Sequence, residues 1–193
     1  MAVRTTMATL ISRTRDLVND NPPLAANQVF SDQQVQDALD RRRAVLWYDL
    51  LRPEPTLGPT GYSWQDYFSR WSDIEDDVVL YDGSWYAVTL GAGDVADTLT
   101  GHWYFAASHV PPIFLVGKTY DPYRSAADLA DQWASKVALS YNVAAGQSAN
   151  LMRSQMFAQL QALAKSLRAR SRTMSMPAER SDTLGEGAGT RTW

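Results

Sequence analysis

The sequence predicts a mainly α protein: a helical bundle of about four helices, a small antiparallel β insertion between the second and third, and an extended C-terminal arm. Three observations carry that expectation. Apolar residues recur at helical spacing near both ends of residues 1–172. The stretch between them is rich in aromatic and β-branched residues broken by turn signals. Residues 173–193 hold two Met, one Leu and one Trp against three Gly and many Ser and Thr, too little apolar surface to offset the entropy of ordering.

The first helix is expected over residues 9–19, where Leu10, Thr14, Leu17 and Val18 share a face and Asn21-Pro22-Pro23 follows as a stop. A second begins at a capping box, Ser31 with Gln34. Val35, Ala38, Leu39, Arg42 and Leu46 extend its stripe toward Arg52-Pro53, which is expected to close it. Pro53, Pro55, Pro59 and Gly61 then make a turn-rich entry. VVLYDGSWYAVTL reads as a hairpin about Asp82-Gly83, and HWYFAAS and IFLVGKTY read as further strands, with Gly91, Gly93 and Gly101 in the loops. A third helix begins near Ser125 with Leu129, Ala130, Trp133, Val137 and Tyr141. After the polar break AAGQS a fourth spans residues 150–172, with Met152, Met156, Leu160, Leu163 and Leu167 on one side. The predicted segments are therefore 1–51 (helix pair), 52–120 (β insertion), 121–172 (helix pair) and 173–193 (arm).

A chain of 193 residues suffices for one real core. It has no cysteine, which removes disulfides, thiolate metal sites and cysteine nucleophiles. No stretch approaches the roughly 18 apolar residues that would span a bilayer, and no signal-peptide core opens the chain, so assembly in a cytoplasm is expected. The net charge of −3 conceals segregation: residues 52–123 carry three cations and ten acids, whereas residues 150–172 carry five cations and no acid. Such a bipolar chain favours contacts between copies or partners.

Candidate chemistry is sparse. Asp73, Glu75, Asp76 and Asp77 lack the spacing and the glycine of a calcium loop and read as solvated charge or as an acidic contact surface. His102 and His109 have no metal-ligand spacing, and no nucleophile elbow or phosphate loop occurs. Arg41, Arg42 and Arg43 read as solvated cations partnered by Asp37 and Asp40, or as contacts to phosphate or acidic neighbours. Neither a catalytic residue, a metal nor a cofactor is expected. A hydrolase using carboxylates of residues 66–97 is the remote option.

The block YDPYRSAADLADQWASKVALSYNV, then GQSANLMRSQ and a basic helix, resembles the head-to-tail adaptor (connector) proteins of tailed bacteriophages. ATLISRTRDLVND followed by QVFSDQQVQDALDRRR is similar to their opening helix pair. The resemblance covers residues 1–51 and 120–172. It implies a virion structural protein of the head–tail neck, forming a ring, commonly of twelve copies, beneath the portal and extending the DNA channel. Its implied partners are copies of itself, the portal protein, a stopper or tail-side neck protein and the genomic DNA in transit, with no membrane. The implied portal-docking arm carries Met174, Met176, Pro177, Arg180, Leu184 and Trp193. The charge pattern suggests Arg168, Arg170 and Arg172 of one copy against Asp73, Glu75, Asp76 and Asp77 of the next. The alternative is a phage DNA-binding or packaging accessory protein using the basic helices.

Overall fold

The computed structural model describes residues 2–22, 27–58, 61–141 and 147–171. It corrects the expected fold class. Among the described residues lie four α-helices and eight strands in two antiparallel sheets, an α+β fold rather than a helical bundle carrying a small insert. The predicted arm, with Arg172, lies outside the described residues, as do residues 142–146, which include the first three of the polar break AAGQS.

After a 3-10 turn at Thr5–Met7, helix α1 spans Ala8–Val18 and ends at Asn19, whose left-handed conformation (φ 56°) caps it ahead of the proline pair. Helix α2, Asp32–Asp40, starts at Ser31, and both reciprocal bonds of the capping box are present. The bend between them is held by a buried cluster. The Asp20 carboxylate accepts the backbone N–H groups of Val29 and Phe30 and an Arg15 guanidinium bond at 2.8 Å. Arg15 also donates to the Phe30 carbonyl and to Asp32.

The expected long second helix stops at Asp40. Ala44–Leu50 is strand β1, and β2 (Arg52–Gly58) follows with only Leu51 between. The β-branched and aromatic content of AVLWYDL suits a strand, and its partner, β8, lies some 70 residues away, beyond any local pattern. Strand β2 tolerates Pro53 and Pro55 because it is an edge strand, where missing N–H donors leave no ladder gap. The remaining strands are β3 (Gly61–Phe68), β4 (Val79–Asp82), β5 (Ala87–Val88), β6 (Val95–Asp97), β7 (His102–Tyr104) and β8 (Ile113–Thr119). One sheet has the order β1-β8-β4-β5 and the other β2-β3-β7-β6, so the β1–β2 chain crosses from one to the other. The Asp82-Gly83 hairpin is where the sequence places it. Between β6 and β7, Gly101 at φ 76° has no room for a side chain, since a Cβ would lie 2.1 Å from the Trp71 carbonyl oxygen.

Helix α3 spans Pro122–Tyr141 and α4 Gln147–Arg170. The former starts earlier than its apolar stripe suggests because Asp121 caps it, accepting the Arg124 N–H at 2.9 Å, with Pro122 in the first helical position.

Two cores result. Met7, Leu10, Val18, Phe30, Val35, Leu39, Tyr120, Leu129, Ala164 and Leu167 fill the helical one. The sheets enclose Leu46, Leu51, Tyr67, Ile74, Leu80, Trp103, Phe105, Ile113 and Leu115. Leu46, expected on a helix stripe, belongs to the second.

Candidate assembly surfaces

The acidic cluster of the β insertion does not lie in solvent as a unit. Glu75 is fully buried and Asp73 nearly so, whereas Asp76 and Asp77 face outward. Glu75 sits where three distant segments meet. Its carboxylate accepts from the Tyr120 hydroxyl at 2.6 Å and the Thr6 hydroxyl at 2.7 Å, and pairs with Arg4 at 2.9 Å and Lys118 at 3.3 Å. Burial alone would raise its pKa. The Tyr120 and Thr6 hydrogen bonds and the charges of Arg4 and Lys118 outweigh burial and hold it below the ordinary carboxylate value. Burial and the neighbouring carboxylate push the Tyr120 hydroxyl far up, so it stays a donor. Arg4 reaches on to Asp40 of α2 at 2.6 Å, and Asp73 pairs with Arg13 of α1 at 3.1 Å. These acids fasten the helical unit to the sheets. Sequence reasoning treated them as solvated because only the fold shows that Arg4, Arg13 and Lys118 converge on them.

Burial removes Asp73 and Glu75 from any contact between copies, and the acidic half of the expected interface narrows to Asp76 and Asp77. Even these are engaged: Asp77 with Lys118, Asp76 with the Thr98 hydroxyl. On the basic side, Arg168 pairs with Asp131 on α3, while Arg170 is exposed. Arg41 donates to the Asp37 carbonyl, Arg42 grips Asp128 on α3 at 2.7 Å, and Arg43 is exposed. The triplet's expected partner Asp40 is taken by Arg4 instead.

Other carboxylates of residues 66–97 serve the fold. Asp82 accepts the N–H groups of Ser84 and Tyr86, Asp94 those of Gly91 and Ala106, and Asp97 those of Leu99 and Thr100. Asp66 meets His102 at 2.9 Å, with the imidazole stacked on Phe68. Among the described residues no group of three or more His, Asp or Glu could hold a metal ion, and no helix is long and apolar enough to cross a membrane.

What sequence reasoning missed is a pair of apolar faces left exposed among the described residues. The first is the outer face of the β1-β8-β4-β5 sheet. Tyr48 meets Trp85 edge-on at 5.1 Å and Tyr81 at 5.8 Å, and Trp85 stacks on Phe114 at 5.1 Å. Leu50 lies opposite Phe114 in the ladder and is 57% exposed, while Trp85 is 58% exposed. Both Tyr48 (φ 49°) and Trp85 (φ 66°) adopt left-handed backbone, which costs a bulky residue about 1–3 kcal/mol. Tyr48 sits where the β1–β8 register shifts, a bulge that re-aims its ring outward.

The second is one side of the β2–β3 hairpin. Leu57 lies opposite Tyr62 and Pro55 opposite Trp64, so these four share a face. Leu57 is 74% and Tyr62 67% exposed. The ladder from β3 to β7 ends at Asp66, and Trp64 and Gln65 are tied to residues 105–109. Among the described residues, 56–58 and 61–63 pair as strands only with each other, a two-stranded arm. The clustered aromatics of residues 47–86 were the available signal, yet period-2 exposure shows only once the strands are known.

No family model, curated protein or solved structure matches the chain.

Proposed function

We propose that the protein is a head-to-tail adaptor of a tailed bacteriophage virion, assembling as a ring beneath the portal and extending the DNA channel toward the tail. The reading starts from the resemblance of residues 1–51 and 120–172. The observation that carries it on the structural side is the pair of uncovered apolar faces, because exposed apolar area of this kind marks surfaces that meet other proteins. A ring needs one heterologous contact repeated around an axis, and two different faces on one chain supply its two halves. Buried Glu75, paired with the partly exposed Arg4 and Lys118, fastens the helical unit to the sheets. The arm of residues 173–193, with Met174, Met176 and Trp193 as anchors, docks on the portal. Twelve such arms on one portal bind far more tightly than one. The channel requires weak DNA contact, and the two guanidinium groups of Arg42 and Arg168 are engaged within the chain, which favours this reading over a DNA-packaging accessory protein.

Deleting residues 173–193 tests it. The truncated chain is expected to melt at the unchanged temperature and to lose co-sedimentation with portal particles. Retained co-sedimentation would remove the arm's role.

A further inference from the structure

We propose that an arginine end of the helical unit of one copy, with Arg43, Arg124 and Arg170, meets a carboxylate face on the β2-β3-β7-β6 sheet of a second copy, with Glu54, Asp66 and Asp97. The inference deepens the ring reading and rests on it for closure of the contact into a ring.

Three helix ends bring the arginines together around Asp121. Its buried carboxylate accepts the Arg124 N–H at 2.9 Å and the Ser171 hydroxyl, which places Arg170 beside the start of α3. Ala44 pairs with Thr119, just before Asp121, so Arg43 enters β1 at the same place. Ser125 ties the end of α2 to this group by donating to the Ala38 carbonyl at 3.2 Å. Arg42 and Arg168 are held by Asp128 and Asp131. Arg43, Arg124 and Arg170 are exposed, and no ion pair engages them among the described residues.

The second sheet carries the matching charge. Tyr67 and Trp103 lie opposite each other on its buried side, so Glu54, Asp66, Phe68 and His102 stand on the outer one. Glu54 is directly opposite Asp66 in the ladder, and like charges so placed repel. Asp97 lies opposite His102 on the same side. Arg52, opposite Phe68, adds a cation, yet no Lys or Arg pairs with Glu54, Asp66 or Asp97 among the described residues. A cleft of about 560 Å³ lined by Arg52, Pro53, Glu54, Pro55 and Phe68 has room for a further guanidinium. There it would stack on the Phe68 ring and pair with the Glu54 carboxylate.

Both sets hold repelling charges close together, and no ion pair joins one set to the other within the chain. Arginines of this kind take either the phosphates of DNA or the carboxylates of a protein. A ring multiplies every free arginine by the number of copies, and such a face turned to the channel would grip the DNA that must pass. The arginine end therefore faces protein, and the carboxylate face of the next copy has the opposite charge. End against face is a heterologous contact, the kind that repeats around an axis. Charge pairs of this sort set the orientation and rate of association more than its affinity. The contact decides which way round copies meet and leaves the strength of the ring to apolar area.

Paired charge reversal on the full chain tests this. One variant carries Arg43→Glu, Arg124→Glu and Arg170→Glu; the other carries Glu54→Arg and Asp66→Arg. Each alone sets like charge against like and is expected to lose association roughly tenfold at low salt, read by sedimentation velocity with and without portal particles. An equimolar mixture is expected to recover the wild-type level, because alternating copies match at every contact. In ~1 M salt, where charges are screened within about 3 Å, mixture and single variants should converge. Melting temperatures check the folds, and Glu54→Arg alone, at an exposed site, repeats the test without touching the Asp66–His102 bond. Single variants that associate like wild type, or folded variants whose mixture does not recover, overturn the contact. Arginine reversal that abolishes duplex-DNA binding and spares self-association assigns the arginines to phosphate and overturns it too. Wild-type portal binding by a single variant overturns the contact and leaves the adaptor reading standing. Recovery in the mixture without portal binding supports the contact and removes the adaptor reading. Association in neither condition overturns both.

Discussion

Glu75 draws Arg4, Thr6, Lys118 and Tyr120 onto one buried carboxylate, and those groups come from the N-terminal segment and from the junction of β8 with α3. Its pKa in the folded chain lies below the unfolded value of 4.5, so it stabilises the fold above that value. That contribution is lost as pH falls from 4.5 through the lower folded pKa. Glu75→Gln is expected to cost about 2 kcal/mol at neutral pH, since it removes charge-assisted bonds to Arg4 and Lys118 while Asp40 and Asp77 still partner those cations. The loss should shrink as pH falls below 4.5, where the unfolded chain takes up the proton first, and should be smallest below the lowered folded pKa. Thermal melts from pH 7 downward check this; a constant difference across the range would contradict it. Nothing local in WSDIEDD distinguishes the buried Asp73 and Glu75 from the exposed Asp76 and Asp77. Their cations lie up to 71 residues away, so the sequence pattern made one acidic run of two different things.

Helices were legible where their signals are local. The Ser31–Gln34 box and the stripe of Val35, Ala38 and Leu39 are short-range features, and α2 starts where they place it. Ser31→Ala is expected to destabilise by about 1 kcal/mol, measured by denaturant unfolding, and a change under 0.2 kcal/mol would show the cap to be idle. Strands β1 and β2 were not legible, because their partners are set by the fold: Ala44 pairs with Thr119, and Pro55 is tolerated only since β2 is an edge. Leu46 fits helical spacing after Leu39 by coincidence of period. For α4 the structure changes what charge reversal means. Arg168→Glu breaks an intramolecular pair with Asp131, so its effect on a ring would mix stability with contact. Arg170→Glu, exposed, is the cleaner variant. If the basic helix faces an acidic neighbour, Arg170→Glu weakens ring formation several-fold at low salt with an unchanged melting temperature. An unaffected ring would show that Arg170 faces no acidic neighbour.

For the whole molecule, charge counted by segment proved less telling than the place the fold gives each charge. Most acids of the β region cap turns or pair with cations of the same chain, so they shape the long-range field more than any one contact. The two sheets are too large to be an insert on a bundle; they form a second core joined to the helices through Glu75 and Asp73. A structural adaptor of this build should bind duplex DNA weakly, and a gel shift that is tight at low salt and falls steeply with added salt would favour the accessory-protein alternative. The central claim is the ring beneath the portal. Negative-stain images of the purified protein mixed with its portal test it most directly. The account predicts an added ring, coaxial with the portal channel and with the portal's axis of symmetry; portal particles that remain bare at saturating protein would contradict it.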